Sequence, residues 1–288
     1  MAEDSVIAPE DREFLFDLLE TPSPTGYEVP GQKKWAEYVR QWSDSVESDS
    51  YGTAWATLEA PLEDVPTVML EAHADEIGFT VKHISEEGFI HIDRLGGSDR
   101  AIARAKRIEI FGDEGPVTGV IGNTAIHLRK NRKNEKVPKW HELFVDIGAD
   151  SREEVQERGI RVGQPAVYTD GVQELTENRI VGRALDNRIG GFIIARALSY
   201  LSRDEERPAA TTYVVNAVQE EIGHNGANMV SYRLNPSVAL VVDVTHATDS
   251  PGIDQKQHGE VKLGEGPSIT HGTVNHPKVT ERIMEVAD

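Results

Sequence analysis

Apolar residues recur along the start of the chain with a helical period. Phe14, Leu15, Leu18 and Leu19 share one face of a helix predicted over Pro9 to Glu20. The segment TPSPTGYE interrupts it with two prolines and Gly26. Val29 to Trp42 predicts a second helix, with Trp35, Val39 and Trp42 on one side. The spacing then shortens to that of strands. A strand pair is expected around Val46 to Leu58, with Gly52 near its turn. Next comes TVMLEAHADEIGF, Thr67 to Phe79, which opens apolar and ends in His73, Asp75 and Glu76. Such a run reads as a buried strand delivering polar side chains at its C-terminal end.

After Glu76 the pattern changes to short runs punctuated by glycine: GFTVKHI, GFIHIDRL, KRIEIFG, GPVTGVIG and PAVYTDG. This spacing predicts a small all-β barrel or sandwich over residues 77–175. One helix interrupts it, where Ser151 and Glu154 make a capping box ahead of REEVQERG and Gly159 closes the end. From Arg179 the α/β rhythm returns. NRIVGRALDNRIGG leads into the helix GFIIARALSYL, and TTYVVNAVQ is a strand ending at Glu220 and Glu221. A helical stretch near Ala227 to Tyr232 precedes the strand SVALVVDV, which ends around Asp243. A short strand and turn are expected in VKLGEGPSI, and a helix in VTERIMEVAD. The predicted fold class is α/β, an α/β/α catalytic domain over residues 1–76 and 176–288 interrupted by the small β-rich domain 77–175.

Composition narrows the function. A net charge of −19 argues against nucleic acid and against an anionic membrane surface as partners. No stretch approaches the roughly 20 apolar residues of a membrane span. The acidic N-terminus has no apolar signal core, so a cytoplasmic setting is expected. The one basic run, RKNRKNEKVPKW, reads as a solvated loop, with a contact to an acidic neighbouring subunit as the alternative. With no cysteine, there is no thiolate nucleophile, and any metal site must use His, Asp and Glu.

A His-x-Asp pair such as His73 and Asp75 can serve as ligand and orienting carboxylate, since residues two apart share a strand face. The chain also carries a control, His91 and Asp93 in FIHIDRL, where alternation with Ile90 and Ile92 reads as a half-exposed strand. The first pair therefore matters only if other strands bring matching groups. Asp186, Glu220, Glu221 and Asp243 follow β-like runs in a way that would collect them at one edge of a sheet. Taken alone, Asp186 also reads as a helix cap and Asp243 as a turn cap. Two consecutive carboxylates at the end of VVNAVQ are harder to dismiss, because their burial without a partner is costly. One can bind a metal while the other takes a proton from water. A His-plus-carboxylate set suits zinc, cobalt or manganese. His246 is a candidate substrate contact and His224 a neighbour of the site or an exposed loop residue. His83, His127, His141, His258 and His276 read as surface.

HADEIGF, GRALDNRIGG, VQEEIGHNGA and VVDVTHATDSPG, in this order, resemble the M42 family of co-catalytic metallo-aminopeptidases, which includes glutamyl, leucyl and lysyl aminopeptidases and the self-compartmentalised TET peptidases. The resemblance spans nearly the whole chain. It implies a phosphorylase/hydrolase-like α/β/α catalytic domain with a barrel or PDZ-like insertion. It implies two divalent metal ions, zinc or else cobalt or manganese. His73 and Asp243 would bind one, Asp186 would bridge, and Glu221 would bind the other. Glu220 would be the base that activates the metal-bridged water, and Asp75 would orient His73. The implied substrates are short peptides with a free N-terminus, and the implied assembly is a homo-oligomer, from dimer to dodecamer. The family supplies one more ligand, a histidine, from a strand beyond the position matching Asp288, so the second metal site is expected to lack one protein ligand within this sequence. Two other readings stand beside the peptidase: a deacylase of the same clan, and a shortened, non-catalytic module for assembly or metal binding.

Overall fold

The structure, a computed structural model, describes residues 7–129 and 136–287. Two compact units divide at Val244 and Thr245.

In the first unit, helix α1 runs over Pro9–Glu20 and α2 over Val29–Val39, followed by a tight turn at Arg40–Trp42. Both helices begin beside a proline, which has no N–H to leave unpaired there. Strands β1 (Ser45–Ser48) and β2 (Ala54–Leu58) form a hairpin whose turn holds Gly52 at a φ of +102°. Strand β3, Thr67–His73, ends at the histidine itself.

The next strands close on themselves. They are β4 (Gly78–Ile84), β5 (Ile90–Leu95), β6 (Arg107–Gly112), β7 (Gly115–Gly122), β8 (Phe144–Asp146) and β9 (Pro165–Tyr168), in the barrel order β4-β5-β8-β7-β6-β9. Phe79, Val81, Ile90, Ile92, Ile108, Ile110, Ile121 and Val145 fill it. This is the small all-β insertion. Between β5 and β6 lies the short helix α3, Arg100–Ala103. Between β8 and β9 lies α4, Arg152–Glu157. Ser151 caps α4 by accepting from the Glu154 N–H, but the Glu154 carboxylate reaches one residue past the expected partner, to the Asp150 N–H at 2.9 Å. Residues 130–135 of the basic run lie outside the described residues.

A two-stranded ribbon, β10 (Gln173–Thr176) and β11 (Arg179–Val181), leads back to α5 (Leu185–Arg203), β12 (Thr211–Ala217), α6 (Asn225–Leu234) and β13 (Val238–Val241). The central sheet has the order β1-β2-β12-β3-β13, with β12 and β13 parallel to β3 on either side. Side-chain alternation divides its faces. Ala54, Ala56, Ala72 and Val214 pack with Leu18, Trp35, Ile194 and Leu198 of α1, α2 and α5. Trp55, Met69, Val215 and Ala217 pack with Val230 of α6. Three layers result, and the parallel strands β3, β12 and β13 all point their C-terminal ends the same way. The start of α5 approaches closely because residues 190 and 191 are glycines. A Cβ at Gly190 would lie 2.3 Å from the Asn187 amide oxygen, and one at Gly191 would lie 2.9 Å from that of Asn216.

The second unit, 245–288, contains helices α7 (Gln255–His258) and α8 (Pro277–Ala287). The strand expected in VKLGEGPSI does not form among the described residues. The Thr248 N–H donates to the Val261 carbonyl at 2.7 Å, and beyond it the segment turns at Leu263 and Gly264. Its glycines and Pro267 interrupt any ladder.

Candidate metal centre

The parallel register decides what meets at the sheet's C-terminal edge. Ala217 of β12 lies beside His73 of β3, and Val241 of β13 lies beside Glu71. Residues just past these ends therefore gather around the His73 ring. Its Nε2 lies 3.0 Å from Asp186 Oδ1, 3.8 Å from Asp243 Oδ1 and 3.8 Å from Glu220 Oε2. One atom each from His73, Asp186 and Asp243 falls within 4.8 Å of the others. Donors about 2.0–2.1 Å from a common ion lie roughly 3–4 Å from one another, so this set fits a divalent ion. The imidazole is buried, whereas the Asp186 and Asp243 side chains are 58% and 46% exposed, which leaves the centre open on one side.

Asp186 does not cap α5. It (φ −84°, ψ 106°) and Asn187 (φ −125°, ψ 37°) leave helical geometry, and the peptide bond between them is cis. Asn187 is the cap instead, accepting from the Gly190 N–H at 3.1 Å, while its amide donates to the Val242 carbonyl at 2.8 Å. Asp186 is thereby free to face His73.

Asp75 is fully buried and faces His73 from the other side, with Oδ1 3.3 Å from Nδ1. It also accepts from the Glu220 N–H (3.0 Å), the Glu221 N–H (3.2 Å) and the Thr25 hydroxyl (2.8 Å). Burial works against its charge, but the His73 contact and these donors hold its carboxyl below the usual range. Burial likewise disfavours an imidazolium, yet the bonds to Asp186 and Asp75 and the surrounding carboxylates hold His73 up at about 10. Burial, then the charge of Asp186, pushes Glu221 up to about 7. Asp243 is raised chiefly by burial. Positive charge is thus in demand here, and a divalent ion meets that demand more fully than one proton.

Glu221 stands outside the three-residue group; its carboxylate lies near Gly96, where a Cβ would come within 3.0 Å of Oε2. His224 is exposed but pairs with Glu220 at 2.8 Å. His246 is exposed and belongs to the second unit. His83, His127, His141, His258 and His276 are exposed, as expected. The control pair lies apart from the centre, on the barrel: His91 and Asp93 alternate with the buried Ile90 and Ile92, and Asp93 is bound by Lys82.

Three features of the centre were not read from sequence. Glu71, two residues before His73 on the same face, is a buried carboxyl pushed up to about 7 by burial. The visible signal was a lone acid inside an apolar strand. Arg183 and Arg188 both clasp the buried Glu76, each at 2.9 Å. Arg188 also donates to the carbonyls of Leu18 (2.9 Å) and Thr21, which ties the turn after His73 to the end of α1. The third is the segment Ser23–Glu28, whose Ser23 N–H binds Glu76 at 2.9 Å beside the Thr25–Asp75 bond.

A family model described as M42 glutamyl aminopeptidase matches residues 52–288. Lysyl aminopeptidase of Pyrococcus furiosus is 32% identical over 280 residues, covering 96% of this chain and 78% of that protein. Among solved structures, a TET aminopeptidase from a marine-sediment Thaumarchaeota archaeon superposes with a TM-score of 0.89 at 30% identity, over 96% of this chain and 78% of its own. The TET1 peptidase of Pyrococcus horikoshii, which can assemble into a tetrahedron or a large octahedral shell, superposes with a TM-score of 0.82 at 27% identity, over 96% of this chain and 80% of its own.

Proposed function

The chain belongs to the M42 glutamyl aminopeptidase family, and from that membership we propose that it removes N-terminal residues from short peptides at a two-metal centre. The observation that carries the reading is the convergence of His73, Asp186 and Asp243 at the C-terminal edge of the sheet. His73 and Asp243 would hold one ion, Asp186 would bridge, and Glu221 would hold the second. Ions bound there supply Lewis-acid polarisation of the scissile carbonyl and lower the pKa of water. Zinc, cobalt and manganese all suit these donors. Glu220, close to the His73 ring and only part-buried, takes the proton from the attacking water and passes it to the leaving amine. Asp75 fixes the tautomer and orientation of His73 through Nδ1. A free α-amino group is a cation, and the open side of a carboxylate-rich centre attracts it.

In this reading residues 1–76 and 176–288 form the catalytic domain, and 77–175 the assembly domain around the barrel. A homo-oligomer is supported by the likeness to TET peptidases. Among the described residues no helix is long and apolar enough to cross a membrane, and the acidic composition suits a cytoplasmic setting.

The test is a pair of substitutions with metal analysis. Glu220→Gln should keep wild-type metal content and lose about 10²–10⁴-fold in turnover. Glu221→Ala should lower metal content. Full activity in Glu220→Gln would make the base assignment wrong.

A further inference from the structure

Glu220 and Glu221 sit on a turn with little regular structure, so something must hold them at the centre. Three successive amides of that turn point at buried carboxylates. Asp75 takes the N–H groups of Glu220 and Glu221. The third, from Gln219, goes to Glu28 Oε1 at 3.1 Å. Gln219 has a φ of +58°, the left-handed region that a residue other than glycine enters at a cost, so the fold must hold it there. The side chain of Gln219 is tied in turn to Asn225 at 3.1 Å.

Glu28 is 3% exposed and has no place in the metal set. The same Oε1 accepts the Gly26 N–H at 2.8 Å. One oxygen thus joins the Gln219–Glu221 turn to the Ser23–Glu28 segment, and that segment already grips Asp75 through Thr25 and Glu76 through Ser23. Tyr27 of the segment also donates to the Gly163 carbonyl at 2.5 Å, beside the barrel. The bracket is closed: Thr25 holds Asp75, Asp75 holds two amides of the turn, and Glu28 holds the third.

We propose that Glu28 is a positioning residue for the reaction, acting through the Gln219 N–H to set the Glu220 carboxylate against the His73 ring. This rests on the assignment of Glu220 as the base. What Glu28 supplies is an acceptor oxygen at a fixed place, so an amide oxygen should serve nearly as well as a carboxylate.

The test compares Glu28→Gln, Glu28→Asp and Glu28→Ala as full-length, metal-loaded protein. Glu28→Ala should lower kcat by about 10–100-fold with KM and metal content near wild type, since a misplaced reacting group costs rate. Glu28→Asp keeps the charge but withdraws the oxygen by one methylene, and should fall between. Glu28→Gln should recover most of kcat. Amide hydrogen exchange supplies a readout independent of turnover: residues 218–224 should exchange at least about tenfold faster in Glu28→Ala, and at the wild-type rate in Glu28→Gln. If Glu28→Ala does not fold, the Asp and Gln variants decide, because only a positional role separates them in kcat and in exchange. Equal kcat and equal exchange in all folded variants would overturn the proposal. A wild-type protein with no peptidase activity would instead defeat the functional reading, while the exchange data would still report the clamp.

Discussion

Replacing Glu71 with glutamine should make the metal-stripped protein more stable at high pH and leave it little changed at low pH. Glu71 is 5% exposed, lies on the same face of β3 as His73, and has Asp243, Glu220 and Asp75 near enough to add their repulsion to its burial. Its carboxyl ionises near 7 in the fold against an ordinary 4.5. The sign follows from linkage. The folded state holds the proton more tightly than the unfolded chain, so the stability Glu71 contributes is fully present below pH 4.5 and is lost as pH rises through 7. The loss amounts to about 3 kcal/mol, with the opposing His73 charge already included. Each kcal/mol corresponds to roughly 2–4 °C in Tm for a large domain. The assay is urea or thermal unfolding of wild type and Glu71→Gln, with chelator, from pH 4 to 8. An amide has no charge to lose, so the stability difference between the two proteins should grow across the window and flatten above it. Any constant offset reports the amide's own hydrogen bonding and cancels in the slope. A difference that stays flat with pH would refute the argument that Glu71 is carried as a buried, strained carboxylate.

Three further outcomes are expected. Arg188→Met should cost about 3–5 kcal/mol in urea unfolding, because it strips the buried Glu76 of a partner; a loss under about 1 kcal/mol would contradict the pairing. Adding Glu76→Gln to that variant should cost much less than it does in wild type, the coupling expected of side chains in contact. Metal binding at neutral pH should release about one proton from His73, because its pKa of about 10 keeps it charged until an ion requires the neutral ring. Calorimetry in buffers of different ionisation enthalpy should show this, with affinity weakening as pH falls; buffer-independent heats would contradict it.

Much of this was legible in the sequence because strands of this fold end where their chemistry begins. The apolar runs before His73, Glu220 and Asp243 gave both the strands and the edge at which they meet. The barrel was visible in the glycine spacing of 77–175, and its interior in the alternation of Ile90 with Ile92 and Ile108 with Ile110. What stayed hidden depended on contacts distant in sequence. Asp186 stood among the candidate ligands, but taken alone it also read as a helix cap, because nothing local reveals that Asn187 takes that part. Glu28 looks like an ordinary surface acid until the fold buries it, 191 positions from Gln219, and the Arg188 partner of Glu76 lies 112 positions away. The strand expected in VKLGEGPSI failed for a local reason, since two apolar residues ahead of three closely spaced breakers cannot sustain a ladder.

The proposed function requires that the centre of His73, Asp186 and Asp243 hydrolyse peptides from a free N-terminus. The direct measurement is hydrolysis of aminoacyl-p-nitroanilides by chelator-stripped protein during titration with zinc, cobalt or manganese, using each substrate both free and N-acetylated. Activity that appears with bound metal, on the free substrates alone, is the expected result. Metal-independent turnover, preference for the acetylated substrates, or no turnover at full metal occupancy would contradict it.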